Sequence, residues 1–483
     1  MKQLTILKIL AILAFATFSC NSGIEKSRPN IVVILCDDLG YGDLSSYGHP
    51  IIRTPHLDRL AEQGIKCTSF YSAAPVCSPA RAGLLTGRSP NRAGIYDYIR
   101  PAQRSKQDDL DLVHLQAGEQ TIPAMLKEAG YSTFLGGKWH CSSEFPGEVQ
   151  PGPGYFGFDH WFATHNNANP SHENPDNFIR NGEAVGELKG FSCQVVVDEA
   201  LNWLRNKGSD DPFYLQVCFH EPHEPVASPQ ELVDEYMPRS LNENQAQYFA
   251  NVANMDDAVG RLVQYLEENY GENTLIIFTS DNGPETLHRY RGASRSYGSP
   301  GPLKGMKLWT SEAGFRVPGI ITWLGKEIYT GTSDAVVSSL DLMPTFAEVS
   351  GATLPDRTLD GQSMLPVIET GKMHREKPLV WAFYDAINEH RVALRTDDWK
   401  MMARLKSDTV YLPTIHNLHV GNESLVKEAE LADFELYNMK EGSKEAEDVA
   451  DKYPEIFEEL KDLLISDYSE LLEGSYIWSR EKE

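Results

Sequence analysis

Cysteine is scarce, with seven in 483 residues and no pair in C-x-x-C spacing, which excludes a disulfide scaffold and a thiolate zinc or redox site. Cations are also in short supply. The 44 Lys plus Arg face 69 Asp plus Glu, a formal charge of −25, and that deficit argues against a nucleic-acid partner because binding a polyanion needs surface cations. No internal repeat and no low-complexity tract stands out, which sets aside repeat arrays. What is present is 41% apolar and 10% aromatic residues, enough for packed cores in a large principal domain with a smaller one attached. A peptide-sized or single-module binding protein is excluded.

Apolar runs are short. Ile9 to Phe18, behind the basic Lys2 and Lys8 and with Ala14, Ala16 and Ser19 toward its end, reads as a secretory signal too short to span a bilayer. Residues 1–19 are therefore expected to act as a signal peptide and the protein to be exported. Cys20, after Thr17-Phe18-Ser19 and before Asn21-Ser22, is similar to the acceptor cysteine of a bacterial lipoprotein, although the usual Leu three residues upstream is missing. Cleavage after Ala14-Phe15-Ala16 is the alternative. The expected location is the periplasm or, through a lipidated Cys20, an outer-membrane tether.

Downstream, one theme recurs: an amphipathic helix, an apolar strand, then a polar loop. That is the sequence form of a parallel sheet covered on both faces. The strands are Ile31 to Leu35, Ser132 to Leu135, Phe213 to Phe219 and Thr274 to Thr279; the expected helices are Thr54 to Gly64, Ile122 to Ala129, Val195 to Leu204 and Asn254 to Glu268. After the strands come Asp37-Asp38, then Gly136-Gly137-Lys138-Trp139-His140, then His220-Glu221-Pro222-His223, then Asp281-Asn282. Ligand crevices in open α/β sheets lie beyond the strands' carboxyl ends, so these four clusters are expected to share one site. Beyond about Pro378 the pattern changes to a hairpin (Arg391 to Lys400, Met401 to Leu405), a strand at Phe434 to Tyr437 and an acidic helix from Tyr453 to Leu472. The fold expected is α/β, a large mostly parallel sheet between helices over residues 28–377, with a small antiparallel sheet and helix over 378–483. Glu441 to Asp451 reads as a solvated stretch.

Cys77-Ser78-Pro79-Ala80-Arg81 is the most specific feature. Pro79 suits a first helical turn, so Cys77 sits near a positive helix end that favours an anion, and Arg81 adds a planar donor fork for a tetrahedral oxyanion. Asp37, Asp38, Asp281 and Asn282 make a hard-oxygen site that suits Ca²⁺ or Mg²⁺ rather than zinc. Lys138, His140 and a histidine of the His220/His223 pair offer cationic donors and proton transfer. The residue types alone do not choose between His220 and His223, nor between Lys304 and Lys307.

With Leu85-Thr86-Gly87-Arg88, the Cys77 segment resembles the signature of the type I, formylglycine-dependent sulfatases of the alkaline phosphatase superfamily. Asp37-Asp38, Gly137-Lys138-Trp139-His140, Asp281-Asn282-Gly283-Pro284 and Gly305 to Pro318 extend the resemblance from about Pro29 to the C-terminal strands. The resemblance implies an alkaline phosphatase-like fold. It implies that a maturation enzyme oxidises Cys77 to Cα-formylglycine, whose hydrated aldehyde attacks sulfur, and that Asp37, Asp38, the modified Cys77, Asp281 and Asn282 hold Ca²⁺, ahead of Mg²⁺. Lys138, Lys307 and the helix end near Arg81 would hold the sulfate oxygens. His223 would protonate the leaving alcohol, and His140 would stand by the second hydroxyl. His223 is chosen because it precedes x-Pro and an apolar residue, and Lys307 because it lies three residues before Thr310 in Thr310-Ser311-Glu312-Ala313-Gly314-Phe315-Arg316. The commoner Gly-Lys-Gly-Thr-Thr here reads Met306-Lys307-Leu308-Trp309-Thr310, so Trp309 either shapes a substrate wall or packs.

The expected activity is hydrolysis of sulfate esters on mono- or oligosaccharides of galactose or N-acetylgalactosamine type. Asn166, Asn167, His172 and Asn174, in a polar insertion between Pro151 and Asn181, are candidate sugar contacts. The alternatives are a phosphate or phosphonate ester hydrolase of the same superfamily and a non-catalytic glycan-binding lipoprotein. A small cationic pocket in an acidic surface favours a short or terminal sulfated sugar over a long polymer.

Overall fold

A computed structural model describes residues 28–101, 113–145, 150–208, 210–286, 288–290, 292–442, 445 and 447–479. The signal segment and Cys20 lie outside the described residues. The large sheet contains β1 (Asn30–Asp37), β2 (Ile65–Tyr71), β3 (Ser132–Lys138), β4 (His160–Thr164), β5 (Ile179–Arg180), β6 (Glu183–Ala184), β7 (Phe213–Pro222), β8 (Thr274–Ser280), β9 (Arg316–Leu324), β10 (Gly331–Ser333) and β11 (Val337–Ser338). Their spatial order is β10-β2-β9-β8-β1-β7-β3-β4-β5-β6, with β11 also on β2. At its centre β1 lies parallel to β7 and β8, with Val32 opposite both Leu215 and Ile276.

The unbroken apolar run of β1 is explained by two cores. Ile31, Val33 and Leu35 face one with the Cys77–Thr86, Ile122–Glu128 and Leu342–Ser350 helices. Val32, Ile34 and Cys36 face the other with the Pro55–Gln63, Ser192–Asn206 and Glu243–Tyr270 helices. A strand buried on both faces has no position for a polar residue until it ends, which is where Asp37 and Asp38 fall.

Two details differ from the sequence reading, and one strand was not singled out by it. β9 runs antiparallel between β8 and β2, because the chain stays at the carboxyl edge after β8, forms no long crossover helix and enters the next strand from that edge. The helix expected at Asn254 starts at Glu243, where the Asn242 side chain accepts from Gln245 N. Glu445, in the stretch read as solvated, is buried, and the fully buried Lys400 bridges it (2.5 Å) to Glu312 (3.2 Å).

The second sheet holds β12 (Leu379–Ala382), β13 (Val392–Arg395), β14 (Trp399–Ser407), β15 (Val410–Tyr411) and β16 (Glu430–Asn438), all pairings antiparallel. The expected hairpin is present with its turn earlier, at Thr396 to Asp398, where Thr396 N donates to Trp399 O. Leu394, Met401 and Leu436 pack on Leu460, Leu464, Tyr468 and Leu471 of the Pro454–Glu473 helix. The opposite face meets the large sheet through Trp381, which stacks on Phe315 at 4.1 Å and 4° and donates from Nε1 to Ser72 O. Trp381→Ala is expected to remove about 3–5 kcal/mol of stability, measured by denaturant unfolding; a loss below about 1 kcal/mol would show that the seam does not depend on this ring.

Candidate active site

Four neighbouring parallel strands deliver the polar clusters to one edge. β8 ends at Asp281 and Asn282, β1 at Asp37 and Asp38, β7 just before His223, and β3 at Lys138 with His140 beyond it. Cys77 opens the buried helix that follows β2. Its Sγ lies 3.4 Å from Asp37 Oδ1 and 4.0 Å from Asp38 Oδ1, and receives Lys307 Nζ at 3.4 Å. Lys307 also donates to both Asp38 oxygens (2.7 and 2.9 Å), and Lys138 Nζ to Asp37 Oδ2 (2.6 Å).

Arg81 lies with the site residues. Nε and Nη2 donate to Asp281 Oδ2 (2.9 and 2.7 Å) and Nη1 to the Lys138 carbonyl (3.0 Å), so three of its five N–H groups fix a carboxylate and a loop. One helical turn past Cys77, the side chain braces Asp281, a use that the sequence reading did not foresee.

Burial alone would raise the pKa of Asp37, but Lys138, His223, Arg81 and Lys307 together hold it well below the usual carboxylate range. Asp281 moves the other way: burial and the charge of Asp37 raise it against Arg81 and Lys138. Burial also pushes the Cys77 thiol far up, against the pull of Lys138 and Lys307, so an unmodified Cys77 holds little thiolate near neutral pH.

Backbone strain gathers here. Asp38 (φ 64°), His140 (φ 54°) and Leu308 (φ 68°) all occupy the left-handed region that L-residues avoid. Each is tied down by its own N–H: Asp38 to Asp281 Oδ1 (3.2 Å), His140 to His165 O (2.7 Å), Leu308 to Pro75 O (2.8 Å). Gly137 has φ 100°, and a Cβ there would stand 1.8 Å from Cys218 O, so β3 can reach β7 only with glycine at this position.

His140 Nε2 donates to the Ile99 carbonyl (2.9 Å), which leaves Nδ1 buried and without a partner among the described residues. Burial, then Lys138, His165 and Arg81, hold its pKa well below the usual value, and with Nε2–H committed Nδ1 is a hydrogen-bond acceptor. The Ile99 carbonyl escaped the sequence reading because a backbone group carries no residue signal. His223 Nδ1 donates to Glu224 O (2.6 Å) and presents Nε2 at 3.7 Å from Asp38 Oδ2. His220 instead points to Thr164 Oγ1 (2.8 Å) behind the site. Lys304 is exposed and reaches toward Glu445 O and the Tyr437 ring, away from Cys77. Trp309 packs over Gly305.

The expected sugar contacts fare differently. His172 is fully buried against Asn251 Nδ2 (3.1 Å), and Asn174, at φ 50°, exchanges backbone and side-chain hydrogen bonds with Gly190 in a turn. His172 is therefore closed off from a sugar, and Asn174 is engaged in shaping its own turn. The segment read as an insertion contains β4, which pairs with β3. Asn166 and Asn167 are half-buried, with Oδ1 atoms lacking a protein partner among the described residues.

One ligand atom from each of Asp37, Asp38, Cys77 and Asp281 lies within 4.8 Å of all the others. Asn282 Nδ2 donates to Asp38 Oδ1 (2.7 Å), while its Oδ1 is buried without a partner among the described residues. Three carboxylates and the cysteine sulfur converging within this radius, with a buried amide oxygen left unpaired on the neighbouring Asn282, fit a hard divalent cation.

The Sulfatase family model matches residues 29–352, and a second, N-sulphoglucosamine sulphohydrolase, C-terminal, matches residues 306–413. The chain belongs to the sulfatase family. As a sulfatase it hydrolyses sulfate esters. It is 32% identical over 370 residues to N-acetylgalactosamine-6-sulfatase of Homo sapiens, covering 73% of this chain and 68% of that one. It is 32% identical over 474 residues to arylsulfatase A of Homo sapiens, covering 92% and 88%. The crystal structure of Ps i-CgsB superposes with a TM-score of 0.74 at 26% identity, covering 94% of this sulfatase and 96% of that chain, and the same protein is known in complex with k-i-k-neocarrahexaose. The phosphonate monoester hydrolase of Agrobacterium radiobacter shares the fold, with a TM-score of 0.57 at 18% identity over 92% of this chain and 96% of that one.

Replacing Arg81 with Met is expected to cost about 3–5 kcal/mol by leaving Asp281 buried without its cation. Denaturant unfolding checks this, and an unchanged midpoint would show that Asp281 does not need the guanidinium.

Proposed function

We propose that this sulfatase is exported and removes sulfate from galactose- or N-acetylgalactosamine-type saccharides, using a divalent cation, Ca²⁺ ahead of Mg²⁺, and a formylglycine made from Cys77 by a maturation enzyme. The observation that carries the reading is the convergence on Cys77 of Asp37, Asp38 and Lys307, with Lys138 on Asp37, Asp281 within the same radius and Asn282 bonded through Nδ2 to Asp38. The saccharide class is supported by the relatives' names and by the neocarrahexaose complex of Ps i-CgsB. Export is supported by the leader over residues 1–19, with a tether through Cys20.

Asp37, Asp38, Asp281, Asn282 and the modified Cys77 would hold the cation, which when bound polarises the sulfate, while the formylglycine supplies a hydroxyl nucleophile. The chain's own residues do the rest. Lys138 and Lys307 place two ammonium charges for the oxygens on which negative charge grows. His223, its Nδ1–H committed to Glu224 O, presents Nε2 for proton delivery to the leaving alcohol oxygen; burial lowers its pKa overall, and Asp37 and Asp38 offset only part of that. His140 stands by the second hydroxyl with Nδ1 as a hydrogen-bond acceptor. Arg81 keeps Asp281 and the Lys138 loop in register.

The matured protein is expected to hydrolyse aryl sulfate faster than aryl phosphate, and Cys77→Ala to abolish turnover with an unchanged circular dichroism spectrum. Faster phosphate turnover, or activity surviving in the Ala variant, defeats the reading. Chelation is expected to lower both turnover and the unfolding temperature, and Ca²⁺ to restore both; a melting temperature indifferent to chelator and Ca²⁺ would count against the cation.

A further inference from the structure

Lys307 reaches Cys77 and Asp38 from a tight turn, and the second sheet holds the far half of that turn. On the near half the partners belong to the large domain: Lys307 N donates to Pro284 O (3.0 Å) and Leu308 N to Pro75 O (2.8 Å), while Trp309 N closes the turn on Met306 O (3.1 Å). Beyond Leu308 N the partners change. They lie in residues 383–391, the connection between β12 and β13. Ile387 N donates to Leu308 O (3.0 Å), Thr310 N to Asn388 Oδ1 (3.1 Å), the Thr310 hydroxyl to His390 O (2.8 Å) and Asn388 Nδ2 to Thr310 Oγ1 (3.1 Å). The connection is itself braced. Phe383 N donates to Arg391 O (2.8 Å) and Arg391 Nη1 to Ala386 O (2.9 Å), and Asp385 meets His416 (3.4 Å), whose Nδ1 also holds Asp97 (2.8 Å).

Leu308 is the reason such a grip matters. At φ 68° it holds a conformation that glycine adopts freely and leucine only at a cost, so the turn closes only where neighbouring bonds outweigh that cost. Its side chain is buried with Val76, Phe383 and Ala386, which ties the strained residue to the same connection that bonds its carbonyl. Release of the far half lets Leu308 relax toward negative φ, and the backbone that carries Lys307 turns with it. The ammonium depends on that direction, since it must meet Cys77 Sγ at 3.4 Å and both Asp38 oxygens at once. Asn388 is the half-buried side chain of the connection that takes a backbone N–H of the turn, one that would otherwise lose its acceptor.

We propose that Asn388, from the second sheet, is a positioning residue for Lys307: by taking the Thr310 N–H it keeps the Leu308 turn closed and the ammonium aimed at the sulfate position beside Cys77. This rests on the reading of Lys307 as a donor to the sulfate oxygens. The test is steady-state kinetics of the matured enzyme on aryl sulfate, with inorganic sulfate as inhibitor, for Asn388→Ala, Asn388→Asp, Lys307→Ala and the double variant Asn388→Ala/Lys307→Ala. Asn388→Ala is expected to lower kcat/KM about tenfold or more and to raise the inhibition constant of sulfate about three- to tenfold, with an unchanged circular dichroism spectrum. Asn388→Asp retains an oxygen acceptor for the Thr310 N–H and stays within about threefold of the wild type. In the Lys307→Ala background, Asn388→Ala costs less than about twofold, because a residue that acts through Lys307 has nothing left to position. A loss under about threefold in Asn388→Ala, an unchanged sulfate constant, an Asp variant as impaired as the Ala one, or single losses that multiply in the double variant each overturns the proposal. If Asn388→Ala does not fold, Thr310→Val, which removes the hydroxyl bonded to His390 O and Asn388, replaces it in the same cycle under the same criteria. A Lys307→Ala enzyme as active as the wild type overturns the reading of Lys307 beneath the proposal.

Discussion

Three carboxylates and three cations share one buried volume at the edge of the sheet, and the rest of the site is arranged around keeping them there. Asp37, Asp38 and Asp281 are each 4% exposed or less, as are Arg81 and Lys138, with Lys307 at 7%. None could be buried alone, since moving an isolated ion out of water costs several kcal/mol even after relaxation. Lys138 answers Asp37, Lys307 answers Asp38 and Arg81 answers Asp281, so the protein part of the cluster is close to neutral. A divalent cation, if added to that balance, would leave the site positive. A chain with a formal charge of −25 could then bind a sulfate ester, because local charges act across a few ångströms while the global surplus is screened beyond roughly 8 Å in physiological salt.

The architecture explains how six such groups come to lie together. Strands buried on both faces admit polar side chains only at their ends, and parallel strands put all their carboxyl ends on one edge. The left-handed residues Asp38, His140 and Leu308 are the cost of turning those ends sharply toward a common point. Their backbone N–H groups are each held by a neighbouring loop, so the strain is locked in by the same packing that makes the site rigid. The second sheet contributes through its seam: Phe315, stacked on Trp381, lies in the turn that follows Lys307 and leads into β9.

Much of this was legible in the chain. The runs Ile31 to Leu35, Phe213 to Phe219 and Thr274 to Thr279 are strands because β-branched and aromatic side chains suit a pleated surface packed on both faces, and their polar terminations mark the site. β9 was not legible as an antiparallel strand, since its apolar residues look the same in either direction and only the absence of a crossover decides which way it runs. His172 illustrates the opposite failure. In a stretch rich in Asn and Pro it looks like a surface contact, yet the pairing of β4 with β3 carries the segment inward and buries it against Asn251.

By itself the sequence determined which chemistry this protein can perform. Cys77 before Pro79 and Arg81, carboxylates after β1 and β8, and Lys138 after glycines are local features, set by residue type and spacing. The family pattern chose between the paired candidates, where residue types alone could not, and tertiary structure decided what each group touches. His223 faces Asp38, Lys307 reaches Cys77, and Arg81 also braces Asp281. Those outcomes depend on directions and distances between loops far apart in the chain, and a hydrogen-bond donor is defined as much by the acceptor already holding it as by its own chemistry.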